Sequence, residues 1–193
     1  MTDTSTPTHR TTTELETEVD RLRASPRDVG SLALVVSRPA VDERRILGQG
    51  ELDPAVGLVG DTWSARPSGR TSDGGPHPDM QLNVINAALI RLLAGDDPER
   101  SALAGDQLHL DLDLSEANLP TGTRLEIGDA AVIEVTDQPH TGCAKFSARF
   151  GPDALRFVNS PVGKELRLRG LNAKVVTGGL IQPGDAVRVV RPA

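Results

Sequence analysis

The stretch "QLHLDLDLS" at residues 107–115 alternates strictly, with Leu108, Leu110, Leu112 and Leu114 on one side of an extended chain and His109, Asp111 and Asp113 on the other. A period of two cannot hold an apolar face together on a helix, so the segment reads as a strand with one buried and one wet side. Shorter runs of the same kind recur. "SLALVVS" (31–37) and "AVGLVGDTW" (55–63, running into a loop) are strand-like, and "MQLNVI" (80–85) alternates Met80, Leu82 and Val84. "TRLEIGDAAVIEVTD" carries two strands joined at Gly128-Asp129, a hairpin turn signal. Further strands are predicted near 171–176 and 186–190, with turns at Gly178-Gly179 and Pro183-Gly184-Asp185. Helical spacing is confined to "NAALIRLLAG", with Asn86 as N-cap and Gly95 as stop, and to short pieces such as Pro152–Val158. Many short strands with few helices predict a mainly β fold, a closed or nearly closed β-barrel.

Its core has to be aliphatic, because the chain holds three Phe, one Trp and no Tyr. Residues 1–13 are dominated by Thr and read as a disordered tail. Residues 14–28 read as a short helix and linker; Thr13 and Glu16 have capping-box spacing, and Leu15, Val19 and Leu22 form a narrow stripe for the domain surface or for a partner. The barrel domain is placed at 29–193. Within it "RPSGRTSDGGPHP" (66–78) is too polar for a core and is read as a lid bordering a site.

A net charge of −6 and scarce aromatics argue against nucleic-acid binding. No run approaches the roughly 20 apolar residues of a membrane span, and no apolar signal core follows Met1. A lone cysteine suits a reducing compartment, so a soluble cytoplasmic protein is expected.

That cysteine, Cys143, lies in "PHTGCAKFSARFG" (139–151). A thiol acts as nucleophile, sulfur carrier or soft metal ligand through its thiolate, which nearby cations favour. Between Lys145 and Arg169 stand six basic residues against Asp153 and Glu165, in a chain that is otherwise strongly acidic. Lys145, Arg149 and Arg169 are therefore the candidates for contacting an anionic small molecule. A helix beginning at Ala144 would set the sulfur at its N-terminus. The plainer alternative is that Cys143 is a small packing residue and the basic run a solvated face. A Cys143–His140 hydrolytic pair would need a third, orienting group that the sequence does not identify. The four histidines form no zinc-binding pattern.

"SEANLPTGTRLEIGDAAVIEVTDQPHTGCAKF" followed by "RGLNAKVVTGGLIQPGDAVRVV" resembles the MOSC domain, the C-terminal domain of molybdenum cofactor sulfurases, which also occurs as small stand-alone bacterial proteins. The resemblance implies a MOSC-type β-barrel that binds molybdenum cofactor (molybdopterin), with Cys143 as persulfide-forming sulfur carrier or as a molybdenum ligand. It implies Asn118 and His140 beside Lys145, Arg149 and Arg169 at the cofactor, and matches Gly60-Asp61 to a family element. Activity would be sulfur transfer or molybdenum-dependent reduction of N-hydroxylated compounds, with a cysteine desulfurase or an electron-transfer protein as partner. The pyridoxal phosphate associated with the family belongs to a desulfurase domain, and no such domain is expected ahead of this barrel. Gly142 stands where the family often has Pro, and Thr62-Trp63-Ser64 where a basic, histidine-rich run is common. A non-catalytic module binding an anion or a partner, and a homodimer built on a barrel edge, stay open beside this reading.

Overall fold

The computed structural model describes residues 9–191, so most of the expected tail lies outside the described residues. The N-terminal helix is two short helices, α1 (Thr12–Glu16) and α2 (Val19–Arg23). The capping box sits one turn-fraction earlier than expected, on Thr11 and Glu14 rather than Thr13 and Glu16. Three successive threonines offer more than one start, and Thr17 Oγ1 turning back onto the Glu14 carbonyl (2.8 Å) ends the first helix. Leu15 and Leu22 are buried against the chain's own helices, so the stripe is covered within the molecule.

The strands follow as β1 (Val29–Ser37), β2 (Arg45–Leu47), β3 (Gly50–Asp53), β4 (Gly57–Leu58) and β5 (Leu82–Asn86). Helices α3 (Ala87–Ala94) and α4 (Pro98–Ala102) lead to β6 (Leu108–Asp111). Then come the hairpin β7 (Arg124–Ile127) and β8 (Ala131–Val135), and the helices α5 (Ala144–Phe150), α6 (Pro152–Asn159) and α7 (Pro161–Glu165). Last are β9 (Leu171–Thr177), β10 (Gly179–Ile181) and β11 (Ala186–Val190).

Seven strands close a barrel in the order β1-β11-β7-β8-β9-β5-β6 and back to β1, with β2 continuing from β1. Every pairing is antiparallel except β5–β6, and that parallel step has the crossover it needs in α3 and α4. As expected, the Asn86 side chain accepts from the Leu89 N–H and Gly95 (φ 70°) stops α3. Closure brings β1 so near β6 that a Cβ on Gly30 would collide with the Asp111 carbonyl oxygen.

Leu, Ile, Val and Ala fill the barrel, including Leu108, Leu110, Leu112 and Leu114. All three Phe lie instead in a second core, where α3, α5 and α6 pack outside the barrel on Ile85 and receive Leu15 and Leu22. This overlay corrects one expectation. His109 points away from the barrel interior but is only 2% exposed, because the crossover helices cover that side. Burial pushes its imidazole down to about 4. A separate small sheet, β10-β3-β4, joins Gly179–Ile181 to strands within residues 50–58, and the short strand expected at the start of 55–63 is the two-residue β4, followed by the loop. No helix among the described residues is long and apolar enough to cross a membrane.

Candidate functional site

The segment 137–143 leads from β8 to α5 and is held at three points. The Asn172 side chain donates to the Gln138 and Pro139 carbonyls (3.1 and 3.4 Å). His140 Nε2 lies 2.7 Å from Asp106 Oδ1. The Gly142 N–H donates to Asn159 Oδ1 (3.3 Å). Gly142 suits its place by having no side chain, since a Cβ there would come within 2.7 Å of Leu155.

Cys143 follows as the N-cap of α5; it is exposed, and its side chain makes no capping hydrogen bond. The sequence "AKFSARF" then sorts itself by helical spacing. Phe146 and Phe150 are buried, with ring centroids 5.1 Å apart, while Lys145 and Arg149 line a cleft with Cys143. Arg169 joins them from the start of the barrel's β9, its guanidinium carbon 5.1 Å from the centroid of the Phe146 ring.

This cleft, of about 440 Å³, also takes in Arg38, Arg44 and Arg66. Six cationic side chains therefore meet three carboxylates. Asp61 grips Arg38 in a bidentate pair (2.8 and 2.9 Å), Asp106 holds Arg169, and Asp42 stands 3.2 Å from Lys145 and 3.3 Å from Arg149. Asp42 has φ 59°, in the left-handed region that Asp tolerates better than most residues. Arg44 and Arg66 have no carboxylate partner among the described residues, and Arg44 Nε is buried without any hydrogen-bond partner. Burial, then the neighbouring Arg149, Arg38 and Arg66, press the Arg44 guanidinium below its ordinary pKa, which marks a local surplus of positive charge.

Behind the cleft, Asp106 is fully buried. Burial alone would push its carboxyl up, but the Arg169 guanidinium and His140 overcome this and hold it well below the carboxylate range. Burial and Arg169 lower the His140 imidazole against the pull of Asp106. His140 lines a neighbouring cleft of about 390 Å³ that also contains Lys164 and Arg167 and shares Arg169 with the first. Asn118 lines neither cleft. Fully buried, it donates to the Arg27 and Asp113 carbonyls (3.0 and 2.8 Å) and accepts from Arg191 (2.7 Å), clasping the approach to β1 to the residue after β11.

A family model for the MOSC domain matches residues 77–188, more than half of the chain. The chain belongs to the MOSC domain family. Among solved structures, this MOSC protein is similar to the YuaD protein from Bacillus subtilis, with a TM-score of 0.62 and 14% identity over 83% of this chain and 95% of that one. It is similar to YiiM from Escherichia coli, with a TM-score of 0.53 and 20% identity over 84% and 71% of the two chains. At such identities the likeness is one of fold. A comparison with curated proteins finds no match.

In this MOSC barrel the structure brings Cys143, Lys145, Arg149 and Arg169 to one cleft, and sets His140 one layer behind it on Asp106. The sequence reading passed over Arg38, Arg44 and Arg66, which reach the cleft from the far N-terminal side of the chain. One signal was available: the matched Gly60-Asp61 pair is the element whose carboxylate orients Arg38, and it also accepts from the Trp63 N–H (2.9 Å).

Proposed function

We propose that the cleft at Cys143 receives molybdenum cofactor, or a similar anionic pterin or phosphate ligand, and that Cys143 serves as its sulfur carrier or as a molybdenum ligand. One observation carries this reading: an exposed thiol opens onto a cleft whose six cations outnumber their carboxylates by three. The MOSC family's association with molybdenum cofactor supports that cofactor as the anion. The residues present fit such a group. The cleft has the volume of a small-molecule site. Arg44 and Arg66, lacking counter-ions, are the side chains an anion would relieve, and hydrogen bonds to charged groups of this kind contribute about 1.5–3 kcal/mol each.

Lys145 is held by the exposed Asp42, and Arg149 by Asp42 and by the Leu103 carbonyl (2.7 Å), so displacing that one carboxylate releases both positive charges toward a phosphate. Phe146 fixes the helix that carries Cys143, and Gly142 with Asn159 fixes the approach to it. Bound cofactor would supply a redox-active metal, for which a thiolate is a suitable soft ligand. As a carrier, Cys143 would accept sulfur from a donor such as a cysteine desulfurase. As a ligand, it would serve a reductase of N-hydroxylated compounds fed by an electron-transfer protein.

The alternative, a module that binds an anion and does no chemistry, leaves Cys143 without a task. Expression in a cofactor-producing host, followed by elemental analysis for molybdenum and intact mass for one added sulfur atom, separates them. The proposal expects molybdenum or persulfide in the native chain and its loss in Cys143→Ser. Retention of bound anion with neither molybdenum nor persulfide would favour the binding module.

A further inference from the structure

A second, smaller cavity of about 180 Å³ adjoins the cationic cleft. Trp63, Pro67, Pro76 and Met80 wall it, while Arg38, Arg66 and Asn83 belong to both spaces. The cavity lies against residues 66–77 of the polar stretch 66–78 that the sequence marks as a border to a site, and Ser68 and His77 of that stretch also line it. That stretch has no regular helix or strand but is tied to itself. The Ser68 N–H donates to the Gly74 carbonyl (3.3 Å), and Thr71 Oγ1 donates to the carbonyls of Ser68 and Gly75 (3.0 and 2.7 Å). Trp63 Nε1 donates to the His77 carbonyl (3.2 Å), which closes the loop over the indole.

Two features define what would fit. The indole N–H is already engaged, so Trp63 offers the cavity hydrocarbon rather than a polar handle, as do the two prolines and Met80. The Asp61 carboxylate holds both the Trp63 backbone and the Arg38 guanidinium, so one group sets the aromatic wall and the cation at the junction together. A cavity of roughly 150 Å³ is enough for a benzene ring. Met sulfur and an indole both make favourable contacts with a flat ring.

We propose that this chamber binds a flat aromatic ring carrying an acidic group, with the ring between Trp63 and Met80 and the acid on Arg66, which has no carboxylate partner among the described residues. The inference rests on reading the cleft as an anion site, and adds to it the class of molecule. The ring is that of an aromatic acid separate from the cofactor.

Trp63 is the only tryptophan in the chain, so intrinsic fluorescence reports this chamber alone. Inorganic phosphate, methyl phosphate and phenyl phosphate are titrated by calorimetry and by Trp63 emission. Phenyl phosphate is expected to bind about three- to tenfold tighter than methyl phosphate, the size of one aromatic contact, and alone to change the emission. Trp63→Leu is expected to remove that advantage while leaving methyl phosphate affinity unchanged. Met80→Ala, which keeps the indole, is expected to shrink the advantage in a chain whose folding the same emission confirms.

If phenyl phosphate binds no tighter than methyl phosphate while both phosphates bind, the chamber proposal is overturned and the cleft reading stands. If no phosphate binds, both fall. Repeating the titration on cofactor-loaded protein checks that the ligand is separate: persistence of the phenyl phosphate response is expected, and its loss would overturn a ligand bound beside the cofactor.

Discussion

Replacing Asp106 by Asn keeps its shape and removes its charge. Both carboxylate oxygens lie 2.8 Å from Arg169 Nη1, and Oδ1 lies 2.7 Å from His140 Nε2, all within a site where the Asp106 side chain is 0% and the Arg169 side chain 8% exposed. Breaking a buried pair from one side leaves an uncompensated charge, at a cost of about 3–5 kcal/mol. For a domain of this size that lowers the melting temperature by roughly 10 °C. Urea unfolding followed by circular dichroism measures the loss. The same change frees Arg169 to act on the cleft, so affinity for inorganic phosphate should rise while stability falls. Acid titration adds a check on sign. Because the folded carboxyl is held below its ordinary value, its contribution is complete above about pH 4 and disappears as pH drops toward the folded pKa; Asp106→Asn should therefore flatten the acid limb. The double variant Asp106→Asn/Arg169→Met, which removes both charges, should recover at least half of the loss. A single-variant loss under about 1 kcal/mol, or a double variant no better than the single, would refute the account of Arg169 as a cation dependent on Asp106.

His109 should make stability fall as pH drops from about 6.5 to about 4, by up to about 3 kcal/mol, because the unfolded chain takes the proton first; chemical denaturation across that range, with His109→Gln flattening the curve, tests this. Asp42→Asn should raise phosphate affinity about two- to fivefold, the scale of an exposed ion pair, with the gain shrinking as salt is added. Leu15→Ala should cost about 2–5 kcal/mol in a thermal melt, since the side chain is fully buried in the helix-rich core.

The barrel was legible because its signals are local. Leucine alternation at 108–114, the turn at Gly128-Asp129 and the cap at Asn86 each act within a few residues, and each is found where those residues place it. What covers a strand's outer side is not local. His109 reads as wet beside Asp111, and only the crossover through α3 and α4 buries it. The site divides the same way. Lys145 and Arg149 stand four residues apart on one helix next to Cys143, so spacing alone gathers them. Arg38, Arg44 and Arg66 arrive through β1, the β1–β2 connection and the loop after β4, and no pattern within those segments announces a shared destination. Asn118 shows the converse: a residue prominent in a matched stretch that the structure uses to tie Arg27 and Arg191 together.

The barrel's seam joins β1 to β11, pairing Val29 with Arg188, Gly30 with Val187 and Ser31 with Ala186. Those partners are the earliest and latest strands of the described chain, so the cylinder cannot close until both are present. Until β11 is made the sheet is open at β1 and β7, and every contact across the seam joins residues far apart in the described chain. Contacts of such long sequence separation slow folding. The barrel that carries the thiol loop is therefore closed only once β11 has been made and has paired with both neighbours.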